Sequence, residues 1–134
     1  MVEKITVKTK ILVYLSDYLN FKDRYIYPNE ITQEGIARAI GITVTHVPRE
    51  LEDLLEKGLV MEIKGRVKDK EKRVNVYFLT PSGIMEVERI KNLIGSIKVE
   101  YNKRKVKLSD MVEKYGKMTW LQAIEIAKNN HKNN

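Results

Sequence analysis

Two short helical patterns joined by a glycine occupy residues 31–60 and constrain the fold more than any other feature of the sequence. In the first pattern, Ile36, Ala37 and Ile40 recur at helical spacing, so one face of this segment is apolar. Gly41 follows directly, where a glycine allows the left-handed conformation that ends many helices. The pattern predicts a short helix that stops at Gly41 and packs closely against a second helix through the small Ala37.

The second helical pattern contains a proline near its start. Thr43 is positioned to cap this helix, and Gly58 is positioned to end it. Pro48 would disrupt an established helix but suits a first turn, so we expect a loose turn over 44–47 and a regular helix from near Pro48, rather than a bent helix. Its apolar face comprises Val47, Leu51, Leu54 and Leu55.

A strongly basic hairpin is predicted over residues 63–79, after the second helix. Its alternation of apolar and polar residues places Val67 opposite Val74 or Val76. The polar residues 69–72 between them are typical of a turn. The segment therefore predicts a two-stranded flap that projects from the helical pair.

Further elements are predicted on both sides of this unit. Helical periodicity indicates helices over 8–20 and 81–94, while 21–30 is a loop long enough to cover another part of the molecule. The period changes to two over 97–108, which predicts a second hairpin. Apolar residues within 109–127 then predict short amphipathic helices.

Composition favours a polyanionic partner. The net charge is +7, and residues 1–60 hold 8 Lys or Arg and 9 Asp or Glu, whereas residues 61–134 hold 17 and 9. The positive excess therefore begins at the basic hairpin, as expected for a nucleic-acid contact rather than an unspecialised surface.

Other functional classes find little support in the composition. Cysteine is absent, and the two histidines, His46 and His131, lack metal-ligand spacing. The serines lack the context of a catalytic nucleophile, so we expect no enzyme activity and no cofactor. No apolar run approaches the roughly 18 residues of a membrane helix, and we expect a cytoplasmic protein without membrane contact.

The segments 46–60 (HVPRELEDLLEKGLV) and 76–83 (VYFLTPSG) resemble the winged helix-turn-helix superfamily, in its broad MarR-like grouping and in archaeal DNA-binding proteins. The resemblance covers roughly residues 8–95. It implies an α+β, mostly helical fold: a winged helix-turn-helix, with a three-helix core and a β-hairpin wing, plus a C-terminal hairpin and helix extension. We accordingly expect a DNA-binding domain over 1–95 and an extension over 96–134.

The resemblance also implies sequence-specific binding to double-stranded DNA, typical of a transcriptional regulator. The second helix would enter the major groove, with Thr43, Thr45, His46 and Arg49 facing the bases, and the wing would lie on the backbone. Arg49 can contact guanine or instead pair with Asp53, and the N–H groups of Thr32 and Gln33 can hold a phosphate or simply begin a helix. The predicted DNA-binding residues are Thr32, Gln33, Thr43, Thr45, His46, Arg49, Lys64, Arg66, Lys68, Lys70, Lys72 and Arg73.

Two alternatives remain open at this level. The acidic residues Glu50, Glu52, Asp53 and Glu56 favour a winged helix used as a protein-binding or scaffolding module, while the basic wing argues against it.

Apolar residues in the helix over 81–94 and in residues 97–134 predict a homodimer. The competing interpretation folds residues 97–134 back onto their own domain.

Overall fold

The computed structural model describes residues 5–21 and 24–133. Within these ranges, six α-helices and two antiparallel hairpins make up most of the fold, which is α+β and mostly helical as predicted. The helices are α1 (Val7–Leu15), α2 (Gln33–Ile40), α3 (Val47–Glu56), α4 (Pro81–Gly95), α5 (Leu108–Glu113) and α6 (Trp120–Asn133). The strands are β1 (Val60–Gly65), β2 (Val74–Leu79), β3 (Lys98–Tyr101) and β4 (Arg104–Lys107). Short 3-10 helices cover Ser16–Phe21, Asn29–Ile31 and Val44–His46.

The helix-turn-helix of α2 and α3 forms as the local signals predict. The Thr32 hydroxyl caps α2 by accepting a hydrogen bond from the Gly35 N–H. Gly41 adopts the left-handed conformation, with φ of 81°, and its N–H donates to the Ala37 carbonyl. Gly35 lies so close to the preceding turn that an added Cβ would collide with the Asn29 carbonyl oxygen. These contacts fix how α2 begins and ends.

Helix α3 starts late, as Pro48 predicts. Val44–His46 form a 3-10 turn, and α3 begins at Val47 with Pro48 in its first turn, where no backbone donor is lost. The expected role of Thr43 as a side-chain cap is wrong. Its hydroxyl makes no capping hydrogen bond and instead contacts two polar side chains of the same turn.

The wing has a different register from the predicted one. β1 and β2 pair so that Val76 lies opposite Ile63 and Val74 lies opposite Gly65, which excludes Val67 from this ladder. Val67 instead forms a parallel bridge to Tyr27, in the segment predicted to be a covering loop. The Tyr27 N–H donates to the Arg66 carbonyl at 2.8 Å, and the Lys68 N–H donates to the Tyr27 carbonyl at 3.1 Å. This loop therefore ties the wing to the helical core.

The C-terminal elements pack onto the same chain. The second hairpin turns at Asn102 and Lys103, both with positive φ, as its sequence predicts. Ala123 and Ile124 of α6 are fully buried and share one apolar core with α1. Trp120 packs against this core, and Lys10 of α1 pairs with Glu125 of α6. The separation of residues 96–134 as an extension stays a prediction.

Candidate nucleic-acid interface

An exposed polar turn immediately precedes α3. Thr43 Oγ1 lies 3.1 Å from Thr45 Oγ1 and 3.0 Å from His46 Nδ1. All three side chains are exposed, and so is Val44 beside them, at 47%. The short 3-10 turn thus presents hydroxyl, imidazole and methyl groups together, which are groups that can hydrogen-bond base edges and contact a thymine methyl.

Arg49 follows on the first turn of α3 and is exposed. The competing interpretation, an ion pair with Asp53, is not observed. Asp53 pairs instead with Lys57 at 3.0 Å and with Lys8 at 3.7 Å. Within the part of the chain that the structure describes, the Arg49 guanidinium has no ion-pair partner and is available to an external one.

The acidic half of α3 is partly neutralised from within the chain. Lys8 of α1 lies 2.9 Å from Glu50, and this hydrogen bond raises the pKa of the Lys8 ammonium. The hydrogen bond from Lys57 lowers the pKa of Asp53 below its ordinary value. Because α1 and the end of α3 supply these cations, two of the four acidic side chains are engaged in the scaffold.

The wing carries a dense set of exposed cations. The loop between β1 and β2 contains Asp69, which adopts the left-handed conformation with φ of 66°. Apart from Lys70, the basic side chains of the wing form no ion pair among the described residues. These exposed cations are Lys64, Arg66, Lys68, Lys72 and Arg73.

Lys70 joins the wing to the start of α2. Its ammonium lies 3.3 Å from Glu34, and Glu34 also accepts a 3.3 Å hydrogen bond from Arg38. The hydrogen bond from Lys70 lowers the pKa of Glu34 below its ordinary value. A groove of about 410 Å³ separates the wing from α2, and Lys64, Lys70, Gln33 and Asn75 line part of it.

A buried hydroxyl of the wing adds a further link to α2, which no sequence pattern indicates. Tyr77 of β2 is 1% exposed, and its hydroxyl accepts a 3.0 Å hydrogen bond from Gln33 Nε2. The same hydroxyl donates at 2.6 Å to Glu62 of β1. Burial, followed by the hydrogen bond to Glu62, raises the pKa of Tyr77 to about 12, so the hydroxyl keeps its proton at neutral pH.

Thr32 and Gln33 are engaged inside the protein. Thr32 is 5% exposed, and its hydroxyl donates to the Asn29 carbonyl at 2.7 Å while accepting from Gly35. The Thr32 N–H also donates to the Asn29 carbonyl. The Gln33 side chain is held by Tyr77. Both side chains therefore stabilise the elements that carry the candidate interface. A direct phosphate contact by either residue stays a prediction.

The described residues form neither a metal-binding cluster nor a membrane span. No group of three or more His, Cys, Asp or Glu side chains within residues 5–21 and 24–133 is arranged to hold a metal ion. None of the helices described is both long enough and apolar enough to cross a membrane.

No protein-family model and no curated protein matches the sequence, but solved structures match its fold. A variant of MepR from Staphylococcus aureus aligns with a TM-score of 0.52 and 21% identity, covering 96% of this chain and 77% of that chain. Another MepR variant, bound to an oligodeoxyribonucleotide, gives a TM-score of 0.52 and 21% identity, with 95% and 75% covered. A variant of ZitR from Lactococcus lactis gives 0.54 and 18%, with 98% and 77% covered.

These similarities define the class of the fold. It is a winged helix-turn-helix, similar to the folds of MepR and ZitR. MepR is a transcription regulator of a multidrug efflux pump in Staphylococcus aureus, and ZitR is also known in complex with DNA.

Proposed function

We propose that this protein binds double-stranded DNA sequence-specifically and regulates transcription. The observation that carries the proposal is the pairing of two exposed surfaces. The polar turn of Thr43, Thr45 and His46 opens α3, and the cationic wing follows the same helix. The similarity to MepR and ZitR, both seen with DNA, supports it.

The two surfaces have separate tasks in this proposal. The N-terminal end of α3 enters the major groove, where Arg49 can form a bidentate contact to guanine and Thr43, Thr45 and His46 reach neighbouring base edges. The wing cations Lys64, Arg66, Lys68, Lys72 and Arg73 contact phosphates, which provide affinity without sequence information. Lys70 can also contact a phosphate, but its ammonium is already paired with Glu34 at the start of α2.

Binding to random duplex DNA over a series of salt concentrations tests this proposal. We expect a steep fall of affinity with salt, because each phosphate contact releases counterions. The variant Lys68→Gln/Lys72→Gln/Arg73→Gln should bind all sequences more weakly and with a shallower salt slope. Lys114→Gln/Lys117→Gln/Lys128→Gln removes equal charge outside the wing and α3 and should change neither.

A chain that ignores duplex DNA at low salt would overturn the proposal and favour the protein-binding module. The acidic residues of α3 motivated that alternative. Two of them, Glu50 and Asp53, are already paired with lysines of this chain, which weakens it.

The proposal includes a homodimer, because regulators of this type place two recognition helices about one DNA turn, roughly 34 Å, apart. Although the elements from β3 to α6 pack on their own chain, α4 leaves Met85 and Leu93 exposed at 73% and 43%. We infer that these side chains form part of the dimer contact. Sedimentation equilibrium should show a dimer that Met85→Glu/Leu93→Glu dissociates, and a monomer at high protein concentration would contradict it. A cytoplasmic location also stays a prediction.

A further inference from the structure

The β3–β4 hairpin is a second strongly basic element that the wing-and-helix interface does not use. Residues 98–107 contain 5 Lys or Arg and 1 Glu, a net charge of +4. Residues 64–73 of the wing contain 6 Lys or Arg and 2 acidic residues, which is also +4. The two hairpins therefore carry equal charge over equal length.

The basic side chains of this second hairpin lie on its outer surface. Val106 is buried, whereas Lys98, Lys105 and Lys107 are exposed. Lys105 and Lys107 occupy the face opposite Val106 because successive side chains of a strand alternate. Within the described residues, none of the hairpin cations forms an ion pair.

Two features of the hairpin are unfavourable for an isolated domain. Lys98 lies directly opposite Lys107, and like charges in such a cross-strand pair repel each other. Lys103 occupies the turn with φ of 65°, a left-handed position where glycine is the preferred residue. An anionic partner would offset the repulsion between Lys98 and Lys107, and the lysine at the turn adds positive charge at the tip of the hairpin where glycine would favour folding.

We propose that the exposed face of the β3–β4 hairpin binds the phosphate backbone of double-stranded DNA as a second contact, in addition to the wing. This inference rests on the proposed function and extends it. The hairpin follows α4, whose 15 residues span about 22 Å. The second contact thus starts at the opposite end of α4 from the wing and reaches a different part of the duplex backbone.

The main test uses the full chain and random duplex DNA. Lys98→Gln/Lys105→Gln/Lys107→Gln should lower the salt slope of binding by about 0.9 for each phosphate that the hairpin no longer neutralises. The control Lys114→Gln/Lys117→Gln/Lys128→Gln has the same net charge and should leave the slope unchanged. A hairpin variant that behaves like this control, while the wild type and the wing variant behave as expected, overturns the second contact alone. A wild type that does not bind overturns the proposed function as well.

A second variant separates binding from folding. Lys103→Gly removes one charge and also removes the backbone strain of a lysine in the left-handed conformation. It should therefore raise the melting temperature while weakening DNA binding. A rise in melting temperature without any loss of affinity would overturn the role of the hairpin tip. Random single-stranded RNA serves as a further probe, and a loss of affinity confined to RNA in the triple variant would replace the duplex by RNA as the partner.

Discussion

Tyr77 and Glu62 are direct cross-strand partners in the wing, and the Tyr77 hydroxyl donates a 2.6 Å hydrogen bond to the Glu62 carboxylate. The same hydroxyl accepts a hydrogen bond from Gln33 in the first turn of α2. One buried ring therefore couples both wing strands to α2, the helix that precedes α3. If the wing and α3 bind one duplex, this coupling fixes the distance between the two contacts.

Tyr77→Phe is expected to lower the free energy of unfolding by about 1 kcal/mol, because it removes two hydrogen bonds while the exposed Glu62 and the half-buried Gln33 regain water. Chemical denaturation measures this loss. Tyr25→Phe is the control, since Tyr25 is 78% exposed, and it should change nothing. A DNA affinity that falls in Tyr77→Phe but not in Tyr25→Phe would show that the wing has shifted, and equal stabilities of the two variants would contradict the coupling.

The raised pKa of Tyr77 predicts a dependence of stability on alkaline pH. Folding raises this pKa from the ordinary 10.0 to about 12, so the folded state favours the protonated hydroxyl. The stability that it provides is fully present below pH 10 and is lost as the pH rises through about 12. The difference in unfolding free energy between wild type and Tyr77→Phe should therefore shrink over this window. A constant difference across it would rule out Tyr77 as the source.

Local signals explain which parts of the fold could be predicted. Gly41 acts as predicted because a glycine stop depends on residues within about four positions along the chain. The late start of α3 follows in the same way from Pro48, whose ring restricts its own turn.

Long-range contacts explain what was missed. The bridge between Tyr27 and Val67 joins a largely polar loop to the wing, and local periodicity cannot indicate a contact between segments so far apart in the sequence. The prediction for Val67 was wrong because alternation specifies a face but not the register of two strands. In the candidate site, Thr43, Thr45, His46 and Arg49 are all exposed, at the positions that the family resemblance implied. Two links could not be predicted because they depend on how the wing packs against α2. They are the ion pair between Lys70 and Glu34 and the hydrogen bond between Gln33 and Tyr77.

Two glycines of the helix-turn-helix should respond differently to alanine. Gly41 has a positive φ and open space around it, so Gly41→Ala should cost about 1 kcal/mol of backbone strain. Gly35→Ala drives a methyl group into the Asn29 carbonyl oxygen and should cost more, about 3 kcal/mol. Gly41→Asn is the matched control, since asparagine tolerates the left-handed conformation. Equal losses at both glycines, measured by urea denaturation, would contradict the close approach at Gly35.

Arg49→Ala tests sequence recognition, and a selection from random oligonucleotides must first identify the preferred site. Because the Arg49 guanidinium is exposed at the start of α3, its loss should cost about 1–3 kcal/mol on that site if it contacts a guanine. Binding to random duplex DNA should change little, and discrimination should relax at one base pair. Lys72→Ala is the comparison, because a wing cation should weaken specific and random binding equally. If Arg49→Ala behaves like Lys72→Ala, then Arg49 contacts a phosphate and the bases are recognised by Thr43, Thr45 and His46.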